Sequence, residues 1–316
     1  MEIINNMTTK VKQDSIFLNG VLFDLDCFWW KGFTVLQAQD LDKAVDDIPE
    51  FMKLGRKRLL NDSDFRDFQA IDTRARTLVD LYSYPFMLSQ LRFVPFTVLP
   101  KLIDDLEALK KFFNASVSLF IVNYEDAKTS FLNKYDGYRD RLVSHYPSVQ
   151  DLQYKFSFSW SLFEMTIPRD IRATLIEDDQ IKQVQLSWQS NQQEVQQKLE
   201  GWVDDIGRLM RKELITVCQN IQANIVDGKI IRTPSLDKAR STIQRLKQMN
   251  FLDDKEVEQA LNSVERTLPG EFDRDVPSIM AGLSRTLEVV SKNLTESDIN
   301  KVTKEFKRKF ILKKGI

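Results

Sequence analysis

The stretch Ile171–Asp227, IRATLIEDDQIKQVQLSWQSNQQEVQQKLEGWVDDIGRLMRKELITVCQNIQANIVD, decides the architecture. Apolar side chains recur at Ile181, Val184, Trp188, Val195, Leu199, Trp202, Ile206, Leu209, Val217 and Ile221. The gaps are mostly three, four or seven residues, the seam of a coiled coil or a long bundle helix. Gln, Asn, Glu, Asp and Lys fill the positions between, as a solvated face requires. No proline falls between Arg169 and Arg232, so the spacing predicts a helix on the order of 80 Å long at ~1.5 Å per residue. A helix of that length needs a partner from this chain or another to cover its stripe. Trp188, Trp202, Ile206 and Leu209 are its candidate partner-binding residues.

Upstream, two more long helices are expected. Asn61–Tyr84 carries Phe65, Phe68, Ile71, Ala75, Leu78, Val79 and Tyr82 as one stripe, with Ser63 as the expected N-cap. Pro100 starts a second, running to about Tyr135, on Leu102, Leu106, Leu109, Phe113, Val117, Phe120, Tyr124, Ala127 and Phe131. Between them, SYPFMLSQLRFVPFTVLP is apolar and punctuated by Pro85, Pro95 and Pro100. It suits a buried connector or a docking surface. YKFSFSWSLFEMTIP fits two patterns: Phe156, Phe158 and Trp160 alternate with serines as in a strand, while Phe156, Trp160 and Phe163 have helical spacing. Downstream, helices are expected from Ser235, from about Asp253 to Leu268, from Ser278 to Asn293 and from Thr295.

One region reads as β. IFLNGVLFDLDCFWWKGFTVL is β-branched and aromatic, with turn signals at Asn19-Gly20 and Lys31-Gly32, and predicts two or three short strands. Trp29 and Trp30 are adjacent, so a strand points them to opposite faces. The fold class is therefore mainly α: a helical bundle with a long coiled-coil arm and a small N-terminal β element. The expected divisions are 1–60 for the β-containing element and 61–170 for the bundle. The long helix takes 171–230, and a C-terminal helical region with a basic tail takes 231–316.

Composition bounds the chemistry. The chain has 316 residues, 42% hydrophobic and 29% charged, a soluble composition, and its net charge of −1 argues against nucleic-acid binding over the whole surface. No run approaches the ~18–20 apolar residues of a membrane span, and the polar opening MEIINNMTTKVKQD lacks a signal-peptide core. A cytoplasmic protein without membrane attachment is expected. Cys27 and Cys218 lie far apart with no CxxC partner and read as buried reduced thiols. A single histidine, His145, argues against histidine metal clusters and Ser-His-Asp or Cys-His catalysis. GxxxxGK[ST] and GxGxxG are absent, leaving no phosphate cradle of those types. No catalytic residue, metal ligand or cofactor is expected.

Two features keep other functions in view. VLFDLDCFWW is similar to the DxD motif of haloacid-dehalogenase phosphatases, which would make Asp24 the nucleophile and Asp26 the acid/base and magnesium ligand. Cys27-Phe28 departs from the small residues that motif needs, and alternating βα units do not follow. Two basic segments, Arg56, Lys57, Arg58 and Lys301–Lys314, suit nucleic acid or an acidic partner. In the second, Lys307, Arg308, Lys309, Lys313 and Lys314 are the candidate nucleic-acid contacts. Solvated edges account for both segments as well.

Taken together, LGRKRLL, the FxxFxxIDTRARTL helix, FVPFTVLP, the LxxLxxFF helix ending in FIVNYEDA and FSFSWSLF resemble the domain-of-unknown-function family 3150, from Leu18 to Ile230. The resemblance implies a protein of phages, plasmids or integrative elements, encoded near MoxR-type AAA+ ATPases and von Willebrand A-like proteins. It supplies no catalytic residue. The expected function is a non-enzymatic interaction or assembly protein, self-associating or serving as adaptor to such an ATPase. A nucleic-acid-associated accessory factor in replication, recombination or defence is the second expectation.

Overall fold

The computed structural model describes residues 18–36, 55–87, 90–164, 178–223, 225, 233–268, 276–292 and 294, and of 178–193 and 233–235 the backbone alone. In chain order these hold β1 Gly20–Trp29, β2 Phe33–Val35, β3 Arg56–Arg58, α1 Arg66–Tyr82, β4 Tyr84–Pro85, β5 Arg92–Pro95 and α2 Leu99–Lys134. Then follow α3 Arg139–Val143, α4 Val149–Gln153, β6 Phe156–Phe163, α5 Asp178–Ala223, α6 Thr233–Met249, α7 Lys255–Thr267 and α8 Val276–Ser291. Among the described residues there are eight α-helices making 68% helix, so the fold is mainly α with a small β element near the N-terminus.

Several local expectations shift for physical reasons. The N-cap before α1 is Asn61, not Ser63: a 3₁₀ turn, Asp62–Phe65, precedes the helix. The Asn61 N–H donates to the Asp64 carboxylate at 3.0 Å, half of a capping box. The basic triplet is strand β3, antiparallel to β2 with Phe33 opposite Arg58 and Val35 opposite Arg56. Its strand state comes from that distant partner, which local propensity does not record. The ambiguous FSFSWSLF run is β6. Its even-numbered aromatics turn inward, Phe156 lying 5.1 Å from Phe68 and Phe158 5.5 Å from Phe113.

The chain divides into two compact units. A four-stranded sheet has the order β4-β5-β1-β6. Residues 20–22 of β1 count with the first unit and the remainder of that strand with the second.

The second unit, Phe23–Leu81 with Pro100–Leu162, has an aromatic core. Trp29 stacks on Phe68 at 6.1 Å, and Trp30 meets Tyr124 edge-on at 5.8 Å. Phe65, Phe113 and Phe120 join the same cluster. Each well-placed pair adds roughly 0.5–1.5 kcal/mol beyond burial. α2 brings Leu102, Leu106, Leu109, Phe113, Phe120, Tyr124 and Phe131 to this core. The Lys31-Gly32 turn requires glycine, because φ is +61° and a Cβ would strike the Phe65 ring.

The first unit, Met1–Leu22 with Tyr82–Leu99 and Phe163–Ile316, is organised by α5. From Leu199 onward α5 buries Trp202, Ile206, Met210, Leu214, Cys218 and Ile221, packing with α6, α7 and α8. Trp202 donates its indole N–H to the Pro85 carbonyl at 2.6 Å, its ring edge-on to Phe86 and Phe93. Phe251, in the α6–α7 turn, lies 4.7 Å from Phe93. Tyr84, Phe86, Phe93, Val94 and Val98 of the proline-rich connector thus form a buried plug, while Phe96 is exposed. Asp254 caps α7 by accepting from the Glu256 and Val257 N–H groups and also binds Arg211 at 2.8 Å. That Arg211 side chain is only 14% exposed, so the cap doubles as counter-charge for a nearly buried guanidinium.

Candidate functional site

Two surfaces of the second unit carry more than a core requires. The first is on α2. On the flank away from the buried stripe, Ala108, Phe112, Ala115, Leu119 and Val122 are all exposed, Phe112 by 65%, Leu119 by 60% and Val122 by 78%. Their spacing is four, three, four, three, the repeat of a coiled-coil seam. Neighbouring residues on a helix lie about 100° apart, so Phe113 and Phe120 face the core while Phe112 and Leu119 face outward. At ~1.5 Å per residue the exposed seam runs about 21 Å. It alternates small and large: alanines at 108 and 115, bulky side chains at 112, 119 and 122.

The second surface is a cavity of about 510 Å³, within the size range of small-molecule sites. Buried Leu60, Phe131 and Leu142 form its floor. Tyr135 and Tyr138 form a wall, and Lys57, Arg58, Lys134 and Arg141 the rim. Among the described lining residues Asp62 is the one carboxylate, and it pairs with Arg58. The cations are positioned. Lys134 lies 5.4 Å from the Tyr135 ring centroid, and Arg141 lies 5.8 Å from that of Tyr138. Lys57 donates to Nε2 of His145 at 2.8 Å and to the Arg141 carbonyl at 3.4 Å. The floor around the cleft is pinned by Tyr146, whose hydroxyl donates to the Leu59 carbonyl. Burial pushes that phenol up to about 12.

A match to the family described as "Protein of unknown function (DUF3150)" covers residues 18–182. The chain belongs to the DUF3150 family. The match begins where the sequence resemblance does but ends short of Ile230, so it spans the whole second unit, with both the α2 seam and the cleft, and leaves most of α5 outside. No curated protein and no solved structure matches the chain.

In this DUF3150 chain the residues marked from sequence fall in different places. Of the basic triplet, Lys57 and Arg58 reach the cleft, whereas Arg56 stacks over the Phe33 ring at 4.6 Å. Trp202 and Ile206 are core residues of the first unit, 6% and 0% exposed; Leu209 is 40% exposed. The Trp188 side chain, and Lys307, Arg308, Lys309, Lys313 and Lys314 with the helix expected from Thr295, lie outside the described residues. Asp24 and Asp26 are exposed on β1, and Ser157 donates to Asp26.

Cys27 and Cys218 are free and buried. Burial pushes both thiols up to about 12, the Asp72 carboxylate adding to the effect at Cys27. Such thiols are inert as nucleophiles near neutral pH. Among the described residues no three His, Cys, Asp or Glu side chains gather as a metal site, and no helix is long and apolar enough to cross a membrane. Sequence reading missed the α2 seam and half of the cleft. The signal for the seam was present in the doublets Phe112-Phe113, Leu119-Phe120 and Ile121-Val122, which are too many apolar residues for one stripe.

Proposed function

We propose that the chain is a non-enzymatic assembly protein that pairs with a second copy of itself through the α2 seam. The exposed 4-3-4-3 seam carries the reading, because a 15-residue apolar face of that repeat is the surface a partner helix fits. A second copy is the occupant because the seam is complementary to itself. Run antiparallel, Phe112 of one copy meets the partner's Ala115, and Leu119 meets the partner's Ala108. The same register sets Lys101 against the partner's Asp126, and Val122 against the partner's Asp105, a residue that pairs with Lys101 within each copy. Each bulky residue at 112 and 119 then has an alanine hollow opposite.

The coiled-coil arm of the sequence reading belongs to the same proposal. Ile181, Val184 and Trp188 continue the α5 spacing toward the N-terminus and would associate in the same assembly. The DUF3150 resemblance adds a cytoplasmic mobile-element setting and an AAA+ ATPase of MoxR type as the machine the assembly would serve.

Light scattering behind size exclusion tests the reading on the full chain. A concentration-dependent dimer that becomes monomeric on Phe112→Asp with Leu119→Asp, with unchanged circular dichroism, is expected. A monomer at every concentration, or a dimer indifferent to both substitutions, contradicts it. Capture of the neighbouring ATPase by the monomer alone would assign the seam to that partner instead.

A further inference from the structure

The geometry points to a second site: the cleft between β3, the end of α2 and α3 binds a nucleobase with its attached phosphate. This stands independently of the assembly reading and concerns a different surface. The floor of Leu60, Phe131 and Leu142 is apolar and buried, so it favours a flat uncharged group over a hydrated ion. Tyr135 and Tyr138, 40% and 46% exposed, offer ring faces beside that floor. Aromatic faces accept any base, since every base has a π-face.

The rim supplies what the attached phosphate needs. Among the described residues, Lys57, Arg58, Lys134 and Arg141 surround the opening together with Asp62, which pairs with Arg58. Lys134 and Arg141 lie over one face of the Tyr135 and Tyr138 rings, so a base stacked on the opposite face would hold its phosphate near these cations. Arginine and lysine on a phosphate form charge-assisted hydrogen bonds, the stronger class. A bare phosphate would make no use of the apolar floor and tyrosine wall. An acidic peptide would make no use of two flat aryl faces. The cavity of about 510 Å³ has room for a mononucleotide. The same chemistry arrives from a free nucleotide or from one unit of a single strand.

Calorimetric titration of the full chain with adenosine monophosphate, adenosine, inorganic phosphate, an oligoadenylate single strand and a polyglutamate peptide tests the site. The expected result is saturable binding of the monophosphate, with adenosine and phosphate each about tenfold weaker or more. Tyr138→Ser weakens the monophosphate about tenfold by removing a stacking face, while Tyr138→Phe, which keeps the ring, retains it. Lys134→Ser with Arg141→Ser abolishes measurable binding of the monophosphate. A strand that binds more tightly than the monophosphate identifies single-stranded nucleic acid as the source. The double substitution then lowers its salt slope by roughly 1.4, about 0.7 for each lost phosphate contact. Equal affinity identifies a free nucleotide. The inference is overturned if neither binds, if binding ignores either Tyr138→Ser or the Lys134 and Arg141 double substitution while circular dichroism shows the variant folded, or if polyglutamate binds better than the monophosphate.

Discussion

The two long helices, α2 and α5, differ in where their apolar residues end up. Both read from sequence as long amphipathic helices. α5 was the one expected to present its seam to a partner, yet from Leu199 to Ile221 its stripe, Leu209 apart, is covered by α6, α7, α8 and the β4–β5 plug of its own unit. α2, read as a simple core helix, covers its main stripe and still exposes a second one from Ala108 to Val122. A helix with one stripe can find its cover within the chain. A helix with two has one left over, and that surplus points to association.

The comparison breaks most sharply at Trp202. Trp202→Ala removes an indole packed among Phe86, Phe93 and Phe251 together with its hydrogen bond to Pro85. A loss of about 3–5 kcal/mol in urea unfolding is expected. On α2 the adjacent pair Phe113 and Phe112 should separate the two stripes. Phe113→Ala costs about 3–5 kcal/mol, whereas Phe112→Ala costs about 0.5 kcal/mol or less under dilute, monomeric conditions. Similar losses at both would mean that the outer stripe is covered within the chain.

A smaller effect is expected at Asp254. Asp254→Ala removes the α7 cap and leaves Arg211 with only the longer Glu256 contact at 3.3 Å. A cost of about 2–3 kcal/mol follows, read as a shift of the unfolding midpoint. Asp254→Asn, which keeps a capping oxygen, should recover part of it.

The smallest effect concerns the α6–α7 contact beside α5. Lys247 donates to Glu265 at 2.5 Å, and this hydrogen bond holds the Glu265 carboxyl below its ordinary value. A depressed carboxyl stabilises the fold above its unfolded pKa, and that contribution disappears as pH falls through the lower folded value. Glu265→Gln should therefore cost about 0.5 kcal/mol or less at neutral pH, because the pair is partly exposed and screened. Its unfolding midpoint should converge on that of the parent in acid.

Helix positions and most of their buried stripes were legible in the sequence, because 3.6-residue periodicity records which face is covered. Leu236, Ala239, Ile243 and Leu246 on α6 and Val257, Leu261 and Val264 on α7 are all buried as their spacing implies. What covers a stripe is not recorded in that spacing, which is why the α5 stripe from Leu199 onward looked available. β3 was illegible for a related reason: Arg56–Arg58 has no strand character of its own and is held by β2, more than twenty residues earlier. Half of the cleft was visible as a basic run. The other half, Lys134, Tyr135, Tyr138 and Arg141, reaches it only through the turn that ends α2.

The most direct test of the outward seam uses one introduced thiol. Cys27 and Cys218 are buried with thiols pushed up to about 12, so Ala115→Cys places the reactive thiol in the middle of the seam. Its alkylation rate at neutral pH is measured across a range of protein concentrations, with Asp140→Cys on exposed α3 surface as the control. Pairing through α2 predicts fast labelling at both positions in dilute protein and progressive protection of position 115 alone as concentration rises. Labelling at 115 that stays as fast as at 140 at every concentration would contradict it.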